Sequence, residues 1–265
     1  MYIEKELKIE MFENTFGHKK RLYWMIDKLE QDASILEVGC GTGSMITCPL
    51  LKLGFDIHGI DIDEKSINYG KDILSQNGLD SDRLILNDIG QLERKYDVII
   101  LSEVLEHIPK SEADEFLGKI KKLMNKNSKL LITIPHGYGW FEFESLIYYR
   151  LRLWKFISLI RIPHIIFLVK KHIIKNQFIN QKISTLSSSP HVRRFTLRNA
   201  SKFLKDNGIT VNSKEGSTLF AGPMSDLIIT GFKPLMKVNN FLGSKLINIA
   251  SGFYLECSIK NNGKG

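Results

Sequence analysis

Short, strongly apolar runs recur through the first half of this chain, each closed by a polar or small residue. Ile35–Val38, Phe55–Asp61, Arg83–Asp88, Tyr96–Leu101 and Lys129–Pro135 read in this way as five buried strands. Between them helices are predicted over about 42–53, ending at Gly54, over 64–76, ending before Gly78, and over 111–125. Leu22, Met25, Ile26 and Leu29 occupy i, i+3, i+4 and i+7 of one helical face, so residues 1–31 are predicted to be largely helical. Ser111-Glu-Ala-Asp114 has the form of a capping box with Asp in the usual Glu place. Pro49 falls inside the first core helix and, lacking an N–H, is expected to kink it. The alternation then stops, and residues 140–190 read as an insertion dense in large apolar residues. It resumes with a helix from Thr196 capped by Gly208, a sixth strand near Ile209–Ser213, a helical stretch over 224–249 and a seventh strand at Phe253–Ile259. No internal repeat is present.

The first strand runs into Glu37-Val-Gly39-Cys-Gly41-Thr-Gly43, where alternate glycines let the backbone turn sharply and approach a ligand closely. Asp61 follows Gly39 at the tip of the second strand, spaced to accept two ribose hydroxyls. A dinucleotide fingerprint starting at Gly39 would need glycine where Ser44 stands, so that motif fails. The Glu-x-Gly-x-Gly-x-Gly form instead resembles motif I of the class I S-adenosylmethionine-dependent methyltransferases. The later strand tips keep family order and spacing, so the resemblance covers residues 33–135. It implies a single α/β domain over 1–265 built on a doubly wound seven-stranded sheet of order 3-2-1-4-5-7-6. Its parts are a leading helix (1–31), a cofactor-binding core (32–139), the insertion (140–190) and a returning core (191–265). It also implies S-adenosylmethionine as cofactor. Gly39, Gly41 and Gly43 then shape its methionine side with Glu37 bracing them, Asp61 holds the ribose, Asp88 and Ile89 meet the adenine, and Ser102 joins them.

Charge changes the picture only in its distribution. The formal net charge is +8, but the chain has no acidic residue between Glu144 and Asp206, an interval holding thirteen Lys and Arg. Removing these from the 37 basic residues leaves 24 against 29 acidic ones, so the rest of the chain is mildly acidic. An aromatic, acid-free, basic segment points to an anionic partner. Residues 140–183 are therefore predicted to form basic amphipathic helices that lid the acceptor site and rest on an anionic membrane surface. A helical subdomain that buries its aromatics against the core is the plainer alternative. No apolar run approaches the ~20 residues that span a bilayer. Cys40, Cys48 and Cys257 form no CxxC pair, and no signal-peptide core follows Met1, so a cytoplasmic protein, peripheral at the inner face of a membrane, is expected.

Chemistry concentrates after the fourth strand. Glu103, Glu106 and His107 stand at i, i+3 and i+4, one face if the segment is helical. The Glu-x-x-Glu-His pattern resembles the metal motif of ubiquinone-pathway O-methyltransferases and of small-RNA 2′-O-methyltransferases. That resemblance places His191 as a further ligand to a divalent metal such as Mg or Mn. A structural role, with His107 packed under the site, is the alternative. His136 closes the fifth strand as a candidate general base, or as a loop histidine bonded to backbone. Tyr138, Glu142 and Glu144 are weaker candidates of the same kind, while His164 and His172 are assigned to the basic surface. The expected reaction is methyl transfer to an oxygen of a small or lipid-linked acceptor, such as a quinone precursor or a polyprenyl-linked glycan. RNA methylation and non-catalytic cofactor binding at a membrane are its rivals; no RNA-binding module is recognisable, so nucleic acid is the weaker partner.

Overall fold

The computed structural model describes residues 14–159, 166 and 191–259. Strands β1 (Ser34–Val38), β2 (Asp56–Asp61), β3 (Leu84–Leu86), β4 (Tyr96–Ser102), β5 (Met124–Pro135), β6 (Ile209–Gly216) and β7 (Gly252–Ile259) form one sheet of order β3-β2-β1-β4-β5-β7-β6. The pairs from β3 through β5 are parallel, and β7 lies antiparallel between β5 and β6. This is the doubly wound α/β sheet expected.

Both faces of the central strands are covered, which is why they read as continuous apolar runs rather than alternating ones. Leu36 and Val38 of β1 turn to one face with Ile99, Leu101, Leu130 and Ile132, beneath Leu117 and Ile120 of helix Ala113–Lys122 and Leu204 of helix Leu197–Asp206. Ile35 turns to the other with Val98, Ile100 and Leu131, beneath Leu22 and Met25 of helix α1 (His18–Ile26) and Leu50 of α2 (Thr47–Lys52). Each such side chain, fully buried, contributes ~1.5–3 kcal/mol before chain entropy is charged against it.

Several local expectations are corrected. The first core helix is only Thr47–Lys52, so Pro49 occupies its third position, where an N–H would have no intrahelical acceptor anyway, and no kink is required. The capping box at Ser111–Asp114 does not form. The helix starts after Glu112 without a side-chain cap, because a turn closed by Glu112 N–H on Pro109 C=O feeds straight into it. The box that does form is Thr196 with Asn199. β5 begins at Met124, before the apolar run: Ser128 Oγ accepts from Asn125 N (2.7 Å), donates to Tyr96 O (2.6 Å) and so closes an irregularity in the ladder. Residues 224–249 hold two helices, α8 (Pro223–Ile229) and α9 (Lys233–Lys245), numbered after Glu64–Gln76 (α3), Ala113–Lys122 (α4), Trp140–Ser145 (α5), Leu153–Leu159 (α6) and Leu197–Asp206 (α7). The insertion continues from α5 through a π-helical turn, Leu146–Arg150, into α6. His164, His172 and the rest of the segment to residue 190 lie outside the described residues, apart from 166, as do residues 1–13.

Candidate active site

At the carboxyl edge of the sheet, directly after β1, the chain turns through three glycines. Gly39, Gly41 and Gly43 all take left-handed backbone (φ 72°, 54° and 65°), a conformation that side chains with Cβ rarely adopt. Two carboxylates fix the turn. Asp61 accepts from Gly41 N (2.7 Å) on one oxygen and from Asp63 N (2.9 Å) on the other. Glu37 lies beneath and accepts from Thr47 N (3.0 Å) and Thr47 Oγ1 (2.5 Å), anchoring the start of α2; burial pushes its carboxyl up to about 7.

A cleft of about 260 Å³ opens beside this turn, lined by Gly39, Asp61, Asp88, Ile89, Val104 and Phe116 among others. Asp88 accepts from Gly90 N (2.7 Å), which caps the short turn Ile89–Gln91 and sets Ile89 in the wall. Glu37, Gly41, Gly43 and Ser102 are not in the lining. Ser102 Oγ lies 3.2 Å from Thr133 Oγ1, bridging β4 to β5. Cys40, beside the turn, has its thiol pushed far up by burial and by Glu37 and Asp61, and is chemically quiet.

Past Val104 the chain enters the 3-10 turn Leu105–His107, and a second group of side chains assembles there. Glu106, His107 and His191 each bring a ligand-type atom within 4.8 Å of the others. His191 is delivered by backbone: Val192 N (3.0 Å) and Arg193 N (3.1 Å) both donate to Glu106 C=O. The two imidazoles meet edge to face, centroids 5.0 Å apart. Glu106 is 1% exposed, and neither carboxylate oxygen has a hydrogen-bond partner. Its carboxyl is held well above the usual range by burial and by Glu103.

Glu103 does not join this group. It precedes the turn, has left-handed backbone (φ 58°), and pairs with Arg21 Nη1 of α1 at 3.2 Å, so the helical i, i+3 relation to Glu106 never arises. Arg21 is a residue the sequence reading missed. It is buried, and its charge acts on Glu37, Glu103 and Glu106 together. The available signal was an arginine four residues before Met25, on the face that carries the core.

The other candidates disperse. His136 is buried, with Nδ1 accepting from Tyr138 N (3.2 Å) and its ring edge-on to Phe253; burial lowers its pKa. Glu144 is structural: its buried carboxylate accepts from Ser225 N (2.5 Å), Ser225 Oγ (2.5 Å) and Trp140 Nε1 (2.9 Å), tying α5 to the start of α8. Tyr138 is exposed beside Arg194, and Glu142 lies 4.0 Å from the same arginine.

Comparison with known proteins bears on the domain type and the fold. Residues 29–151 match the family model for a methyltransferase domain. A ubiquinone biosynthesis O-methyltransferase of Pelagibacter ubique is 31% identical over 108 residues, covering 40% of this chain and 44% of the relative. A ribosomal protein L11 methyltransferase of Neisseria meningitidis is 38% identical over 80 residues, 30% of this chain and 26% of that one. The chain thus spans about half, or less, of the curated relatives it matches. In fold it is similar to the magnesium protoporphyrin IX methyltransferase of Synechocystis with bound SAH, with TM-score 0.53 and 16% identity over 98% of this chain and 88% of the other.

Proposed function

Because residues 29–151 carry the class I S-adenosylmethionine-dependent methyltransferase domain, whose cofactor is S-adenosylmethionine, we propose that this chain transfers the cofactor's methyl group to an oxygen of a small or lipid-linked acceptor. One observation carries the reading. The wall of the cleft at Val104 runs directly into the turn bearing Glu106 and His107, so a nucleoside site and a proton-handling cluster share one edge. The O-methyltransferase named among the relatives supports oxygen as the nucleophile.

Asp61, aligned by two backbone N–H groups, keeps lone pairs for two ribose hydroxyls, and Asp88 with Ile89 faces the adenine end. The sulfonium already activates the methyl, so the protein's main task is to align donor and acceptor. Arg21 offsets the carboxylates crowded around the methionine side. The cluster fits a divalent metal such as Mg2+ or Mn2+: Glu106 offers two buried oxygens without hydrogen-bond partners, and two imidazoles stand beside it. Glu106, His107 and His191 would hold the ion, which when bound lowers the pKa of a substrate hydroxyl. Glu103, Tyr138, Glu142 and Glu144 have no part in this mechanism.

The acceptor is proposed to arrive from an anionic membrane along the insertion. Tyr149, Leu151 and Leu159 are exposed there among exposed Arg150, Arg152 and Lys155, and no described helix is long and apolar enough to cross a bilayer.

The test is transfer of labelled methyl from S-adenosylmethionine to total membrane lipid extract, with manganese binding followed by electron paramagnetic resonance. Label should enter the lipid fraction as a base-stable ether. Glu106→Gln and His191→Ala should lose manganese binding and ~10²–10³-fold in rate, His136→Ala less than about tenfold. Label appearing only in protein or RNA would overturn the acceptor assignment. Full activity in chelator, with loss on His136→Ala instead, would move proton handling to His136.

A further inference from the structure

Among the described residues, helix α9 is fastened on one face and exposed on the other. Its inner face carries Met236, Asn239 and Gly243, all buried. Asn239 donates to Phe220 O (2.8 Å) and accepts from Phe220 N (2.7 Å), and Lys20 of α1 donates to Asn240 O (3.0 Å). Gly243 sits so close to the turn after β6 that a Cβ there would come within 1.8 Å of Ser217 O. These contacts fix the helix's rotation.

What faces outward is therefore specified too. Leu235, Val238 and Phe241 recur at i, i+3 and i+6, with Val238 and Phe241 55% and 61% exposed. Lys233, Lys237 and Lys245 are exposed along the same helix, and Lys245 Nζ lies 5.8 Å over the Phe241 ring. The sequence has no acidic residue from Leu227 through Leu255. Exposed Leu246 and Ile249 prolong the apolar surface, and Ile249 C=O accepts from Trp140 N (3.3 Å), which brings it to the first residue of the insertion.

We propose that the outward face of α9 is a membrane-docking surface that seats Leu235, Val238 and Phe241 at the headgroup–acyl boundary of an anionic bilayer, with its lysines among the headgroups. An apolar stripe alone would equally suit a second copy of this chain. Charge decides between them: the helix itself carries no acid, and Glu215 beside Lys237 is already bound to Lys20 and Ser244, so a self-paired face would set Lys237 and Lys245 against their own copies, whereas anionic lipid attracts each basic residue near its surface. The proposal rests on the reading that this protein works at a membrane, and adds a contact outside the insertion. Together the two would hold the molecule at two points rather than one.

The test is vesicle flotation of the full chain on phosphatidylcholine alone and on phosphatidylcholine with phosphatidylglycerol. Three proteins are compared: wild type, Val238→Glu/Phe241→Glu, and Arg150→Glu/Arg152→Glu/Lys155→Glu. The α9 changes lie on solvent-facing positions, and retained S-adenosylhomocysteine affinity certifies the fold. Wild type should bind only the anionic vesicles, and the α9 variant should partition at least about tenfold less, equivalent to ~1.4 kcal/mol. Undiminished binding of the α9 variant, with loss in the insertion variant, overturns the α9 surface and leaves the membrane reading standing. Absence of wild-type binding at low salt overturns both. A dimer that the α9 changes dissociate, with vesicle binding unaltered, assigns the face to self-association and overturns the proposal.

Discussion

The cofactor edge and the surface beyond β5 are fastened by bonds of different reach. At the cofactor edge, Glu37 holds Thr47 ten positions on, and Asp61 holds Gly41 twenty positions back. Beyond β5, Glu144 holds Ser225 across 81 positions, and Lys20 reaches Gly216 across 196. Each side has one buried carboxylate anchor, Glu37 and Glu144, joined at the cofactor edge by half-buried Asp61 and beyond β5 by the Lys20 ammonium. The difference lies in what each fastening controls: the short ones shape a ligand cleft, the long ones hold the walls around it in place.

If that division is right, breaking a long fastening should cost stability with little effect on the cleft. Glu144→Ala strands Ser225 N–H, Ser225 Oγ and Trp140 Nε1, and a loss of about 4 kcal/mol in chemical denaturation is expected, with S-adenosylhomocysteine affinity of the folded fraction retained. Collapse of affinity along with stability would erase the distinction.

A short fastening should show itself through protons. Native Glu37 keeps its proton until about pH 7, whereas the unfolded chain releases it near its ordinary 4.5. Between these values the folded state binds more protons, so this group's stabilising share is full at low pH and is lost as pH rises. Glu37→Gln should remove that slope, shifting the variant-minus-wild-type stability by up to roughly 3 kcal/mol in the variant's favour between pH 4.5 and 7. Denaturation midpoints across that range decide it; parallel curves would show that Glu37 is ionised in the folded protein throughout.

The smallest effect expected is local to the ligand. Asp61→Ala should weaken S-adenosylhomocysteine binding in calorimetry by ~1.5–3 kcal/mol, with the melting temperature of the free protein moved by only a few degrees. Unchanged affinity would remove Asp61 from the ribose site.

The same contrast in reach explains what could be read without coordinates. The strands themselves, the glycine turn and the Asp61 and Asp88 tips were legible because local sequence writes them: apolar run, glycine, acid, at fixed spacing; the order of the strands across the sheet came only from the family resemblance. The pairing of His191 with the Glu106 turn was legible only through likeness to a known motif, since nothing local announces that Val192 and Arg193 will donate to Glu106. Glu103 was misjudged because one left-handed residue broke the helical spacing assumed for it. Glu144 looked reactive as a lone acid near the cleft, and only the distant Ser225 shows that its carboxylate is spent. Arg21 was hidden by its surroundings, a cation set in an apolar face whose three carboxylate neighbours come from other strands and turns.

Lys20 has one more consequence, which concerns order in time. Its ammonium donates to Gly216 O (2.6 Å), Ser217 O (3.0 Å), Asn240 O and Ser244 Oγ (2.6 Å), and every one of these acceptors is synthesised after β5 is complete. On a ribosome, α1 emerges before any of the seven described strands and then waits through most of translation for the groups that will hold it. The parallel strands can pair during that interval, while the helix bearing Arg21 keeps a hydrated lysine and an unsealed seam. The first described helix is thus among the last to be locked, and any truncation upstream of residue 216 would leave it without its latch.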